Sequence, residues 1–160
     1  MTRITMCIAA LVVGLIGLLA FLDNTNNLQS GFAAVQYVVS QAEQPVYKNI
    51  GPTISSPVFI WAMFLFIMAA ELAVGVLGFW GLAKMIQNRA GEPSDFQSAK
   101  AKAILGAGLG MLLWYGAFVA IGEMYFNFWQ TARGLGSAEG AFRYGTVCAV
   151  LYFFLSARSD

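Results

Sequence analysis

The chain has 160 residues, of which 59% are hydrophobic and 11% charged, with a formal net charge of +1; an ordinary soluble domain carries about a quarter charged residues. These proportions exclude a water-soluble globular fold, and nine scattered Lys and Arg without aromatic interleaving exclude a nucleic-acid surface. With no histidine, the chain lacks the commonest transition-metal and haem-iron ligand and the usual general base near neutral pH, so no cofactor or metal is expected.

The first apolar run, residues 4–22, is long enough for a membrane span. Arg3 before it imitates a secretory signal, yet the run exceeds a typical signal core and ends without an Ala-x-Ala site, so it reads as a retained span. Asp23, Asn24, Thr25, Asn26 and Asn27 are predicted to stop that helix. Over residues 29–43, Phe32, Val35, Val38, Val39 and Ala42 recur at helical spacing with Gln36, Ser40 and Glu43 between them. This pattern predicts a short amphipathic helix at the membrane interface, ended by Pro45, Gly51 and Pro52. A second span is predicted over 57–84 and, after a polar hinge at 87–97, a third over 102–129. Gly134, Leu135, Gly136 and Ser137 suggest a tight turn before a fourth span over 141–157. The fold class expected is therefore an all-α membrane protein: one domain over 1–160, a four-transmembrane-helix bundle with a short amphipathic helix in the first outer loop.

Lys84, Arg89, Lys100, Lys102, Arg3 and Arg158 fall on one side of this layout, and Lys48, Arg133 and Arg143 on the other. The positive-inside rule then places both termini in the cytoplasm. Tyr47, Trp61, Tyr125 and Trp129 would lie near the outer boundary as an aromatic belt. Gly75, Gly78 and Gly81 on the second span and Gly106 with Gly110 on the third predict a close contact between those two helices. Cys7 and Cys148 lie inside the first and last apolar runs and read as small buried hydrophobes, not as a disulfide.

Glu71 is the residue that most needs a reason. At 1.5 Å of rise per residue it lies about 21 Å from Pro57 and about 20 Å from Lys84, near the bilayer midplane. A carboxylate there must face the bundle, find partners or stay protonated. Trp114, Tyr115 and Tyr152 are at a similar depth and offer N–H and O–H donors, so these four residues are the expected intramembrane polar site. A second cluster is expected near the outer end, where Glu123 and Arg143 could form an ion pair with Asn127, Gln130 and Tyr144 as hydrogen-bond partners. No nucleophile and base at a reachable spacing can be named, so no catalytic residue is expected.

The Asn26-Asn27 pair, Glu71, Gly122-Glu123 leading to Trp129-Gln130-Thr131, and Ala141-Phe142-Arg143 together resemble a bacterial, mainly proteobacterial, family of predicted small integral membrane proteins of unknown function. Members of that family often have Trp after the acid corresponding to Glu123, where this chain has Met124, and His in the outer amphipathic segment, where this chain has none. The resemblance implies a multi-pass protein of the bacterial inner membrane and carries no established reaction. Two functions remain open on the residues. One is a non-catalytic accessory subunit of a larger inner-membrane complex, such as a respiratory or photosynthetic electron-transfer assembly, with lipids and other membrane subunits or further copies of itself as partners. The other is a small oligomeric transporter or channel that uses Glu71.

Overall fold

The computed structural model describes residues 2–43, 46–47 and 50–157. Among them every regular element is a helix. Four helical stretches, Thr2–Asn26, Pro57–Gln87, Pro93–Tyr125 and Ala132–Ala157, are long and apolar enough to cross a membrane, and the all-α four-span reading holds. Pro45, Lys48 and Arg158, used above for a helix break and for the charge balance, lie outside the described residues.

Helix α1 (Thr2–Asn26) packs along α3 (Pro57–Gln87), the most extensive contact in the molecule. Glycines set the distance. A Cβ added at Gly17 would run into the backbone of Gly75 and Glu71, and one at Gly78 into the backbone of Gly14 and Val13. Small residues let membrane helices gain van der Waals contact where lipid removes the hydrophobic driving force. Gly75 and Gly78 thus serve the first span; the predicted contact between the second and third spans is made by Gly106, which approaches the backbone of Gly78 and Val74, and by Gly81, which meets Ala103 on α5 (Ala101–Met111), while Gly110 faces Cys148 on α6 (Ala132–Ala157). Gly14 and Gly17 are three residues apart, so they lack the four-residue spacing that flags such an interface.

Arg3 fastens the start of α1 to the turn after α3. Its Nη1 donates to the carbonyls of Arg89 and Gly91 at 2.9 and 2.8 Å, and its guanidinium stacks over Phe96 of α4 (Pro93–Ala99). Lys100, also buried, donates from Nζ to the Leu155 carbonyl at 2.9 Å, where the last turn of α6 favours a cation. With Lys84, Arg89 and Lys102 these residues define a basic end of the bundle. Met6, Met85, Phe96, Ala103 and Leu155 fill the core behind it.

Helix α1 continues through Asp23, Asn24 and Thr25, and a single residue, Asn27, separates it from α2 (Leu28–Ser40). α2 is the predicted short amphipathic helix of the first outer loop, and it packs along α3. Gly31 sits against Phe64, Phe32 stacks on Trp61 at 4.7 Å, and Val39 joins Ile60 and Phe126 in one cluster. Its apolar face thus finds a protein partner on α3. The two pieces together read as one broken helix.

The third span is not uniform. After α5 the chain widens into a π-helical segment, Leu112–Tyr125, closed by a bond from Phe126 N–H to the Ile121 carbonyl at 3.0 Å. π-Helical turns are mostly single and frequently mark functional sites. The reversal follows at Asn127, which adopts a left-handed conformation (φ 52°), and a 3-10 turn, Phe128–Gln130. α6 then begins at Ala132, nine residues earlier than the predicted fourth span, and Gly134 to Ser137 lie inside a helix instead of forming a turn. Thr131 accounts for the early start: its Oγ1 accepts from Gly134 N–H at 3.0 Å, the arrangement of a helix N-cap. Gly134 is small for packing, since a Cβ there would strike the Phe128 carbonyl.

Candidate functional site

Glu71 lies halfway along the 31 residues of α3 and is 3% exposed. Neither Trp114, Tyr115 nor Tyr152 is its partner. The Asn24 side chain at the end of α1 donates from Nδ2 to both carboxylate oxygens, at 3.0 and 2.8 Å. This bond joins the break between α1 and α2 to the middle of α3. A buried carboxylate with a donor on both oxygens is a satisfied group, whereas one left without would carry a large desolvation cost.

The other members of the expected intramembrane site are placed elsewhere. Tyr115 shares a hydrogen bond with Thr146 of α6 at 2.7 Å, Trp114 is buried with its ring tilted against Tyr144, and Tyr152 meets Phe153 edge-on. Trp114 and Tyr115 join the π-helical segment to α6, and Tyr152 lies against Gly108 of α5; none of the three meets Glu71. Sequence reasoning missed Asn24 because it took residues 23–27 as a loop beyond the span. The antiparallel glycine contacts Gly17 to Gly75 and Gly14 to Gly78 are what bring Asn24 level with residue 71.

The expected outer ion pair is also rearranged. Arg143 Nη2 lies 3.5 Å from Glu139 Oε2, one turn back on its own helix, with both side chains more than half exposed. Glu123 is on the π-helical segment and is not brought to Arg143. Gln130 instead holds the connection before α3: its Oε1 accepts from Val46 and Tyr47 N–H at 3.3 and 2.8 Å, and its Nε2 donates to the carbonyls of Tyr47 and Asn127 at 2.9 and 3.2 Å. Asn127 contributes that carbonyl and the left-handed turn. Cys7 and Cys148 are both buried and free.

Above Glu71 a half-open pocket of about 150 Å³ lies between α2, α3, the π-helical segment and α6. Its walls are mainly apolar, with Asn24 at one end and Tyr37, Arg133 and Ser137 also lining it. No group of three His, Cys, Asp or Glu that could hold a metal ion occurs among the described residues. The architecture thus consists of apolar spans around one satisfied acid. The family described as predicted small integral membrane protein, DUF2165, matches residues 2–158. The chain belongs to that family. Neither the curated proteins nor the solved structures contain a match to it. As a member of DUF2165 it is a multi-pass integral membrane protein.

The surface of this family member is sided in the half beyond Glu71. Val58, Phe59, Leu65 and Phe66 on α3 and Ile121 and Met124 on the π-helical segment are exposed apolar groups suited to lipid. On the α1–α2 side, at the level of Glu71 and beyond, Asp23, Asn26, Asn27, Gln29 and Ser30 are exposed, and α6 adds Ser137, Glu139 and Arg143. Tyr37 and Arg133 bring α2 and α6 together on that side, the guanidinium lying 4.9 Å from the ring centre.

Proposed function

We propose that this DUF2165 protein is a non-catalytic accessory subunit of a larger membrane complex, covered along its α1–α2 and α6 side by another subunit. The reading rests on the exposed polar residues Asp23, Thr25, Asn26, Asn27, Gln29 and Ser30, which stand halfway along α3, beside faces that are apolar over the same length. Thr25 and Asn27 satisfy part of their own need by donating to Phe21 and Asp23, but lipid would leave the remaining polar atoms of this stretch unpaired, at a cost of about several kcal/mol each. A protein neighbour supplies partners. The mixture of Leu28 and Leu135 with the polar groups is also what a protein contact uses.

In this reading the bundle sits in a bacterial inner membrane with its basic end and both termini in the cytoplasm, as the positive-inside rule orients it. Trp80 with Lys102 above its ring at 4.9 Å suits the headgroup boundary there. A photo-crosslinking residue at Gln29, in the native membrane, is expected to yield adducts with a protein subunit, and one at Phe66 adducts with lipid. Lipid adducts from both positions would overturn the proposal, and an adduct of the chain with itself would make the neighbour a second copy.

The second reading, an oligomeric transporter using Glu71, has one observation in its favour: the helix broken beside an intramembrane acid, an arrangement many transporters use to build a midplane site. Below Glu71 the glycine contacts and the packed core at the basic end close the way. Equal flux through liposomes containing the native chain or Glu71→Gln would end this reading.

A further inference from the structure

We propose that the cavity beyond Glu71 is a binding site for a single-chain anionic amphiphile, a medium-chain carboxylate such as octanoate, with its carboxylate against Arg133 and its tail among the apolar walls. The volume, the lining and the charge at the edge each point this way. The pocket is open on one side, and its space of about 150 Å³ takes a benzene-sized portion of an apolar tail between its walls, with the rest of a single chain lying along the opening. Phe64, Ile67, Ala117 and Phe118 supply walls without polar atoms. The Asn24 Nδ2 is already committed to Glu71, so Asn24 adds no charge to the lining to compete with Arg133.

Arg133 sets the sign of the ligand. Its side chain is exposed, and Tyr37 covers the guanidinium from one face, which leaves the N–H edges of the fork for an acceptor. Among the described residues Arg133 forms no ion pair, and Glu139 on the same helix pairs with Arg143 instead. A planar guanidinium with open edges takes a carboxylate through two parallel hydrogen bonds. Ser137, one turn along α6, adds a hydroxyl on the same lining, with its own Oγ hydrogen donated to the Arg133 carbonyl at 3.1 Å. Its lone pairs remain available. A subunit over the α2–α6 side would also cover Arg133, so the site is tested on the chain without a neighbour.

The test is equilibrium dialysis of radiolabelled octanoate and octanol against the full chain in phosphatidylcholine nanodiscs, with empty nanodiscs to subtract partition. The expected result is saturable octanoate binding at one per chain. Arg133→Gln should weaken octanoate by about tenfold or more and leave octanol nearly unchanged, the loss of one charge-assisted contact. Ala117→Phe, which fills the cavity, should abolish both. Ala34→Phe, on the α2 wall, repeats that test if the first variant fails to fold by circular dichroism. Octanoate retention no greater than in empty nanodiscs would overturn the proposal. So would octanoate binding insensitive to Arg133→Gln and to both fillings, or native mass spectrometry that finds a phospholipid held in the native chain and lost from Ala117→Phe.

Discussion

Between the basic end and Glu71, α1 and α3 touch backbone to backbone through Gly14, Gly17, Gly75 and Gly78, whereas beyond Glu71 the same face of the bundle is built from Phe32, Trp61 and Phe64. The difference is one of slack. Backbone contact through glycine fixes the separation of two helices to within a methyl group, and nothing can rotate away to relieve a misfit. Aromatic contact has χ angles to spend, and the half that uses it retains a cavity of about 150 Å³. A rigid half holds the fold and an adaptable half presents the polar side, the break between α1 and α2, and the half-open pocket. Glu71 and Asn24 mark the boundary.

The largest effect should come from the rigid half. Gly17→Leu forces a side chain into the Gly75 backbone, and overpacking of that kind costs about 3 kcal/mol or more where neighbours cannot move. Reversible unfolding in mixed micelles would measure it, and a native-like midpoint would show that the two helices are not held this closely. The boundary comes next. Asn24→Leu leaves the Glu71 carboxylate buried without its donor, which should cost about 2–3 kcal/mol. A double-mutant cycle with Glu71→Leu should return a large part of that cost, because the hydrogen bond and the group that needs it disappear together. Additive losses in the cycle would separate the pair.

A smaller contrast compares the same substitution in the two halves. Ala103 is fully buried against Gly81, so Ala103→Leu should destabilise by about 1–3 kcal/mol. Ala117 lines the cavity, and Ala117→Leu should lie within about 0.5 kcal/mol of the native chain, since the added methyl groups fill space that is already there. Equal losses at both positions would mean that the far half is as tightly packed as the basic end.

Much of the fold was legible in the residues, for reasons that also explain what was not. Apolar runs of membrane length announce their helices whatever the tertiary contacts, and the isolation of Glu71 in such a run demanded a buried partner. Which residue met it depended on helix pairing, and that pairing is decided by Gly14 and Gly17 against Gly75 and Gly78, contacts without a unique spacing pattern. Residues 23–27 were read as an outer loop because polar clusters usually end spans, yet α1 carries them to the level of Glu71 before it breaks. Gly134 to Ser137 looked like a turn on composition alone. The Thr131 cap and the close approach of Gly134 to Phe128 place them in a helix, and neither is visible without the neighbouring strand of chain.

The smallest expected effect separates the two versions of the outer charge cluster. An ion pair linking Glu123 on the third span to Arg143 on the fourth would tie two helices together in a partly desolvated setting, and removing one partner there would cost several kcal/mol, of order. The observed pair, Glu139 with Arg143, joins two exposed side chains one turn apart on α6, where such pairs contribute about 0.3–0.5 kcal/mol. Arg143→Ala should therefore shift the unfolding midpoint by no more than that. Combined with Glu123→Gln it should be additive, because the two residues share no contact. A coupling above about 1 kcal/mol would place Arg143 across the helix interface after all. Additivity would leave Arg143 on the polar side of the far half, where a neighbouring subunit could use it.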